Sequence, residues 1–188
     1  MDFDWMDRKL RDKLTKTRYT HTIGVMYTAA SLAMAHKTDV QQALIAGLLH
    51  DCGKFGHVND QIAICMEYKI PLESFELEMP ALVHAKLGAY LAKHEYKIED
   101  DAICNAILYH TTGRPNMSLL EKILYIADYI EPWRQELPEM AEIRQYAFTD
   151  IDRAIEAGAR GTIAYLTSLG RKINPLTIQT MEYYGIIT

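Results

Sequence analysis

The stretch Leu48-Leu49-His50-Asp51-Cys52-Gly53-Lys54 places two metal-ligand side chains next to each other at the end of an apolar segment. Imidazole nitrogen suits iron, zinc and nickel, and a carboxylate can bind one ion or bridge two. The apolar residues before His50 predict that a helix from Ala43 to Cys52 carries the pair into the interior. An ionised Asp51 needs a partner there, and a metal ion can provide it. The alternative is a chance His-Asp pair, because this dipeptide alone is a weak motif.

Composition restricts the class of protein. The chain has 188 residues, of which 49% are apolar, and a net charge of -5. This length predicts one domain with a sizeable core, and the acidic balance argues against a general nucleic-acid binder. The absence of a long apolar run predicts no membrane association, and the acidic N-terminus does not resemble a secretory signal. The three unpaired cysteines indicate reduced thiols, so we predict a cytoplasmic protein.

Apolar residues recur with the helical period of 3.6, and no segment shows the alternation of a strand. Capping patterns begin at Asp39 and Ser118, and Pro132 and Gly170 end helices. We predict helices over residues 4–16, 18–36, 39–53, 80–94, 99–110, 118–131, 138–147, 149–169 and 174–185, with a short one opening near Asn59-Asp60. The predicted fold class is all-α, a single-domain helical bundle of roughly nine helices. Its metal-site core spans about 18–134, and the helices of 138–188 complete the bundle.

Four histidines and two aspartates lie in or beside apolar stretches, where an unpaired polar group is costly. They are His21, His50, Asp51, His84, His110 and Asp128. One buried histidine is more often a hydrogen-bonded core residue than a metal ligand. For six such residues spread over five predicted helices that explanation is strained, so we interpret them as a ligand set.

Six ligands exceed what one catalytic metal takes if it must keep open positions. Shared by two ions, with Asp51 bridging, they leave room for water and phosphate oxygens. Two ions about 4 Å apart can hold a hydroxide between them and clamp a phosphoryl group for in-line attack. The histidine-rich set disfavours magnesium, which prefers oxygen ligands.

The order His21, His50-Asp51, Asp128 resembles the signature of the HD-domain metal-dependent phosphohydrolases. The additional His84 and His110 resemble the binuclear version. Within this family the chain resembles the YqeK-like group, the symmetrical diadenosine tetraphosphate hydrolases of bacteria, and the resemblance extends from Arg18 to about Pro175. Its most specific stretch is Ile-Ala-Asp-Tyr-Ile-Glu-Pro at residues 126–132. The Gly-Tyr-Pro mark of cyclic-dinucleotide phosphodiesterases is absent.

The resemblance implies an HD-type helical bundle with two divalent or mixed-valence metal ions, iron first and manganese as the alternative. It implies cleavage of diadenosine tetraphosphate in the middle to two ADP, with a metal-bound hydroxide as the nucleophile. Asp51 and Lys54 are the expected catalytic residues. His84 is expected to face the substrate as well as a metal.

Three cations and one hydroxyl are candidates for phosphate binding. Lys54 follows the His-Asp pair and could neutralise non-bridging phosphate oxygens as a point charge. Arg18 and Arg134 are close in sequence to ligand candidates, which favours phosphate binding by Arg134. Thr111 could donate a hydrogen bond to phosphate. For each cation a solvated surface position remains the alternative.

The segment from Arg171 to Leu176 is predicted to contact the nucleoside. It combines cationic Lys172 with apolar Ile173, Pro175 and Leu176, the lining that a base requires. It also resembles the family's Ile-x-Pro-x-Thr stretch. The alternative is a plain helix connection in which Asn174 caps and Pro175 occupies the first turn.

Two other functions stay open. One is another HD phosphohydrolase activity on nucleotides, and the other is a non-catalytic nucleotide sensor that retains a metal. Intact ligand candidates and Lys54 weigh against the sensor. The partner expected is a small-molecule nucleotide, and a homodimer is an open option.

Overall fold

The structure is a computed structural model that describes residues 2–187. This part of the chain contains helices and no strand, which confirms the all-α prediction. The eleven α-helices are α1 Phe3–Lys13, α2 Lys16–Ala35, α3 Val40–Leu49, α4 Val58–Glu67, α5 Ser74–Glu78, α6 Val83–His94, α7 Asp101–Tyr109, α8 Leu119–Ile130, α9 Met140–Thr149, α10 Ile151–Ser168 and α11 Pro175–Tyr183. A 3₁₀ turn over Pro80–Leu82 precedes α6.

The difference from roughly nine helices lies mainly between α3 and α6. The sequence predicted one short helix near Asn59, whereas this region forms both α4 and α5. Each begins with a reciprocal cap in which an acidic side chain three residues on accepts from the cap's main-chain N–H. The Asp60 carboxylate accepts from the main-chain N–H of His57, and the Glu76 carboxylate accepts from that of Glu73. These short helices lack the long apolar period that would predict them.

The predicted caps are present in the structure. The Asp39 carboxylate accepts from the main-chain N–H groups of Gln41 and Gln42. Ser118 and Glu121 form the reciprocal capping box of α8. These caps satisfy N–H groups that have no partner within their own helix.

Helix α3 ends at Leu49, earlier than the predicted Cys52–Gly53, and residues 50–54 form a turn. The N–H of Cys52 donates to the Leu49 carbonyl at 3.0 Å, and that of Lys54 donates to the Asp51 carbonyl at 2.9 Å. The turn packs against α6 so closely that a Cβ on Gly53 would lie 2.7 Å from the nitrogen of Gly88. This close backbone contact explains the glycine and fixes the place of the turn that carries His50 and Asp51.

One cluster of buried apolar side chains runs through helices from α1 to α10 and surrounds the His50–Lys54 turn. A smaller cluster joins α10 to the C-terminal end of the described chain. Within residues 2–187, no helix has both the length and the apolar character needed to cross a membrane.

Gly53→Ala is expected to lower the free energy of unfolding by about 1–3 kcal/mol, because the facing atoms are backbone and cannot rotate away. Urea unfolding followed by circular dichroism measures the change. Gly158→Ala is the matched control, since its Cβ would contact Tyr129 at an ordinary 3.6 Å. If both variants were equally stable, the close packing of the turn on α6 would be contradicted.

Candidate metal centre

Asp51 lies between two pairs of histidines in the interior, and its two oxygens face different pairs. Oδ2 is 3.4 Å from Nε2 of His50 and 3.8 Å from Nε2 of His21. Oδ1 is 3.3 Å from Nε2 of His84 and 3.7 Å from Nε2 of His110. Two three-residue groups that could hold a metal therefore share Asp51 as their common member.

Asp128, near the end of α8, completes the first of these groups. Its Oδ1 lies 3.0 Å from Nε2 of His21 and 3.9 Å from Nε2 of His50. The structure thus brings all six predicted ligand candidates into one cluster, from the chain segments α2, the His50–Lys54 turn, α6, the end of α7 and α8.

The other ring nitrogen of each histidine has an acceptor, which fixes the direction of the ring. Nδ1 of His50, His84 and His110 faces the main-chain oxygen of the residue three positions earlier, at 2.6–2.7 Å. Nδ1 of His21 faces Oε1 of Glu131 at 2.9 Å. A proton on each Nδ1 leaves the Nε2 lone pair directed at the centre of the cluster.

With the protons on Nδ1, the Nε2 lone pairs of neighbouring histidines face each other at short range. Nε2 of His21 is 3.3 Å from Nε2 of His50, and Nε2 of His84 is 3.3 Å from Nε2 of His110. Two acceptors cannot hydrogen-bond to each other, so a cation between them removes the repulsion. Oδ1 of Asp51 is also buried and, among the described residues, has no hydrogen-bond partner. Both features fit a centre that binds divalent metal ions.

Neighbouring side chains keep the two carboxylates of the cluster ionised and His84 neutral. Burial acts to raise the pKa of Asp51, but His50, His110 and His84 outweigh it and hold the pKa well below its usual range. Burial also acts to raise the pKa of Asp128, but the neighbouring His21, His50 and Arg134 outweigh it and lower the pKa. Burial and the nearby Lys54 lower the pKa of His84 to about 3. Ionised carboxylates and neutral imidazoles are the forms that bind metals.

The three predicted phosphate-binding cations surround this cluster. Arg18 donates from Nη1 to Oδ2 of Asp51 at 2.8 Å, and Nζ of Lys54 lies 3.7 Å from Oδ1 of the same carboxylate. Arg134 donates to both the carboxylate and the main-chain oxygen of Asp128. Burial lowers the pKa of Lys54, and the Asp51 charge opposes that shift. These cations are half-exposed or exposed, so phosphate oxygens can reach them from solvent.

The other predicted substrate residues are divided between two places. Thr111 and Leu176 line one cavity of about 230 Å³ next to Ala85, beside His84. Lys172 lines a different cavity and pairs with Glu78 at 2.7 Å. Ile173 is half-buried, and Pro175 is exposed at the first position of α11, where Asn174 caps the helix.

Glu131 is a residue of the centre that sequence reasoning did not single out. It is fully buried, and its carboxylate joins His21 through Oε1 to the main-chain N–H of Trp133 through Oε2, at 2.8 Å. Its position three residues after Asp128, directly after the last residue of α8, was the available signal. A carboxylate behind a ligand histidine orients the ring and raises its basicity.

Glu131→Ala is therefore expected to lower metal affinity about 10–100-fold. Titration of metal into the stripped protein measures it. Glu142→Ala, a first-turn glutamate of α9 outside the centre, serves as the control. Unchanged metal affinity in Glu131→Ala would show that Glu131 has no role in orienting His21.

Comparison with known proteins agrees with the fold. The HD domain family matches residues 18–133, which contain every residue of the metal-centre cluster. The class of protein is thus defined by the same segment that carries the six side chains.

Individual proteins with similar sequences define a narrower group within this family. The chain is 43% identical to "Bis(5'-nucleosyl)-tetraphosphatase, symmetrical" of Halalkalibacterium halodurans, over 91% of this chain and 90% of that one. It is 39% identical to the Bacillus subtilis protein of the same name, over 93% and 92%. A crystal structure from Clostridium acetobutylicum, described as a predicted HD superfamily hydrolase involved in NAD metabolism, is 40% identical with a TM-score of 0.93, covering 98% of this chain and 97% of that one. The chain belongs to the HD domain family and, within it, to the symmetrical bis(5'-nucleosyl)-tetraphosphatase group.

Proposed function

We propose that this protein hydrolyses diadenosine tetraphosphate, or a related bis(5'-nucleosyl) tetraphosphate, symmetrically to two nucleoside diphosphates. The names of the relatives supply the substrate class. The observation that carries the proposal is the position of the Asp51 carboxylate, whose two oxygens face separate histidine pairs. A carboxylate so placed suits two metal ions, and two ions suit cleavage of a phosphoric anhydride.

We assign the ligands according to which Asp51 oxygen each histidine pair faces. His21, His50, Asp128 and Oδ2 of Asp51 would hold one ion, and His84, His110 and Oδ1 of Asp51 would hold the other. When bound, the metals would supply an acidified water and neutralise phosphate charge. Iron is the proposed metal, with manganese as the alternative, because nitrogen-rich ligand sets suit transition metals.

The chain's own cations bind and orient the phosphates. Arg18 and Arg134 each donate to a carboxylate of the cluster, which anchors both guanidinium groups beside the place proposed for the phosphates. Lys54 lies on the Oδ1 side and neutralises non-bridging phosphate oxygens as a point charge. Thr111 donates a hydrogen bond to phosphate from the cavity that it lines together with His110 and Asp128, and His84 also faces the substrate.

Metal analysis of protein purified without chelator, combined with product identification on a nucleotide panel, tests this function. The panel includes diadenosine tetraphosphate, nucleoside monophosphates, cyclic dinucleotides and NAD, the last because the Clostridium acetobutylicum relative is described as acting in NAD metabolism. Two metals per chain and ADP as the sole product are expected. Another cleaved nucleotide would support a different phosphohydrolase, and stoichiometric binding without product would support the sensor.

The cytoplasmic location, the single-domain organisation and a homodimer stay predictions. Light scattering of the metal-loaded protein measures the mass, against 21.5 kDa for one chain.

A further inference from the structure

Two cavities meet at Arg134 and Gln135, each opening onto a different part of the cluster. The first, here the tyrosine pocket, has a volume of about 540 Å³ and is lined by Tyr125, Tyr129 and Tyr165. It reaches the centre at His110 and Asp128.

The second cavity, here the Trp133 pocket, has a volume of about 610 Å³ and different chemistry. Trp133 forms its aromatic wall, Lys16 and Arg18 provide positive charge, and it reaches the centre at His21. The two cavities thus approach the cluster from the His110 side and the His21 side.

Trp133 is exposed yet held in place. Its side chain is 61% exposed, but its main-chain N–H donates to the buried Glu131. Its ring lies against Gly24 of α2, where an added Cβ would be 2.8 Å from the ring atom Cε3. The benzo part of the ring is therefore held against α2, and the exposed part is available to a planar ligand.

The tyrosine pocket has the features of a nucleoside site. A Cβ on Gly161 would lie 2.9 Å from the Tyr129 hydroxyl and 3.0 Å from Oε1 of Glu139, so the glycine keeps this wall open. Within residues 2–187, the Glu139 carboxylate makes no hydrogen bond or salt bridge, which leaves it free to accept from the amino group of a base. Aromatic rings with a few polar groups are the usual lining of such a site.

We propose that the two nucleosides of the substrate occupy these two unlike cavities, one in the tyrosine pocket and the other on Trp133. This inference rests on the proposed function. Cleavage in the middle of a tetraphosphate requires the central phosphates at the metal centre, with one nucleoside two phosphates away on each side. Cavities that approach the cluster from two sides and share Arg134 meet that requirement.

The kinetic test compares diadenosine tetraphosphate with adenosine tetraphosphate, which has one nucleoside. Trp133→Ala keeps the main-chain bond to Glu131 and is expected to reduce the KM preference for the two-nucleoside substrate about tenfold, the loss of one base–aromatic stack. Gly161→Ala is expected to raise KM for both substrates about tenfold by narrowing the pocket. Gly158→Ala, the same change one turn earlier on α10, is the matched control and should leave KM unchanged.

A binding test needs no turnover. The chain has two tryptophans, Trp5 and Trp133, so Trp5→Phe makes Trp133 the sole tryptophan reporter. ADP is expected to quench that emission in a saturable manner, and pyrophosphate, which has no base, is not. Trp133→Phe, which leaves Trp5 as the reporter, should show no ADP response.

The outcomes separate the two proposals. ADP quenching of Trp133 without tetraphosphate hydrolysis would contradict the proposed function and support the subsite. Symmetrical hydrolysis with no quenching and an unchanged KM preference in Trp133→Ala would overturn the subsite and leave the function standing. A large KM increase in Ile173→Asp, with none in Gly161→Ala, would instead place a nucleoside at the Arg171–Leu176 segment and overturn the tyrosine pocket.

Discussion

Asp51→Ala is expected to abolish turnover and leave at most one metal ion per chain, because this residue is the member that the two metal-binding groups share. The rate should fall about a thousandfold or more, which corresponds to ~4 kcal/mol of transition-state stabilisation. Metal content by elemental analysis and ADP formation under saturating substrate measure the two effects. Two bound metals with normal turnover would show that the binuclear proposal is wrong.

Asp51→Asn separates the bridging role from the space that the residue fills. Asparagine has nearly the same volume but offers one oxygen, so the second ion should still be lost while the fold is kept. Asp101→Asn, at an exposed site that pairs with Lys93, is the control for loss of one negative charge. Circular dichroism of all three variants confirms that a loss of activity is not a loss of folding.

Local signals in the sequence predicted the helices well where they are long and amphipathic. The cap at Asp39 and the capping box at Ser118 act within four residues, so chain position alone reveals them. Helices α4 and α5 are short, and their caps include His57 and Glu73, which are not typical cap residues. The earlier end of α3 depends on contact with α6, a tertiary effect that the periodicity of residues 43–52 does not contain.

The candidate site shows the same division between local and tertiary information. Buried histidines and aspartates in apolar segments were recognisable, because unpaired polar groups are costly there, and the structure brings these side chains together. Their ligand roles stay predictions. The tyrosine pocket was not predictable, since Tyr129 and Tyr165 come from α8 and α10 and meet only when those helices pack.

His84→Ala and His110→Ala are each expected to reduce the metal content from two ions to one per chain. Both histidines face Oδ1 of Asp51. His21 and His50 face Oδ2, Asp128 contacts both of them, and these residues remain as a complete set. Turnover should fall about a hundredfold or more, because one ion cannot stabilise both the attacking and the leaving oxygen. The retained ion should keep its affinity, which titration of the stripped variants measures.

His94→Ala is the control, because His94 is an exposed residue at the end of α6 that stacks on Tyr90 away from the centre. It should keep two metals and normal turnover. His21→Ala should have the complementary effect, with loss of the ion on the Oδ2 side and retention of the one that His84 and His110 hold. Loss of all metal in both His84→Ala and His110→Ala would show that the six ligands are not divided between two ions in this way, because a set of His21, His50, Asp51 and Asp128 would then be insufficient to bind an ion by itself.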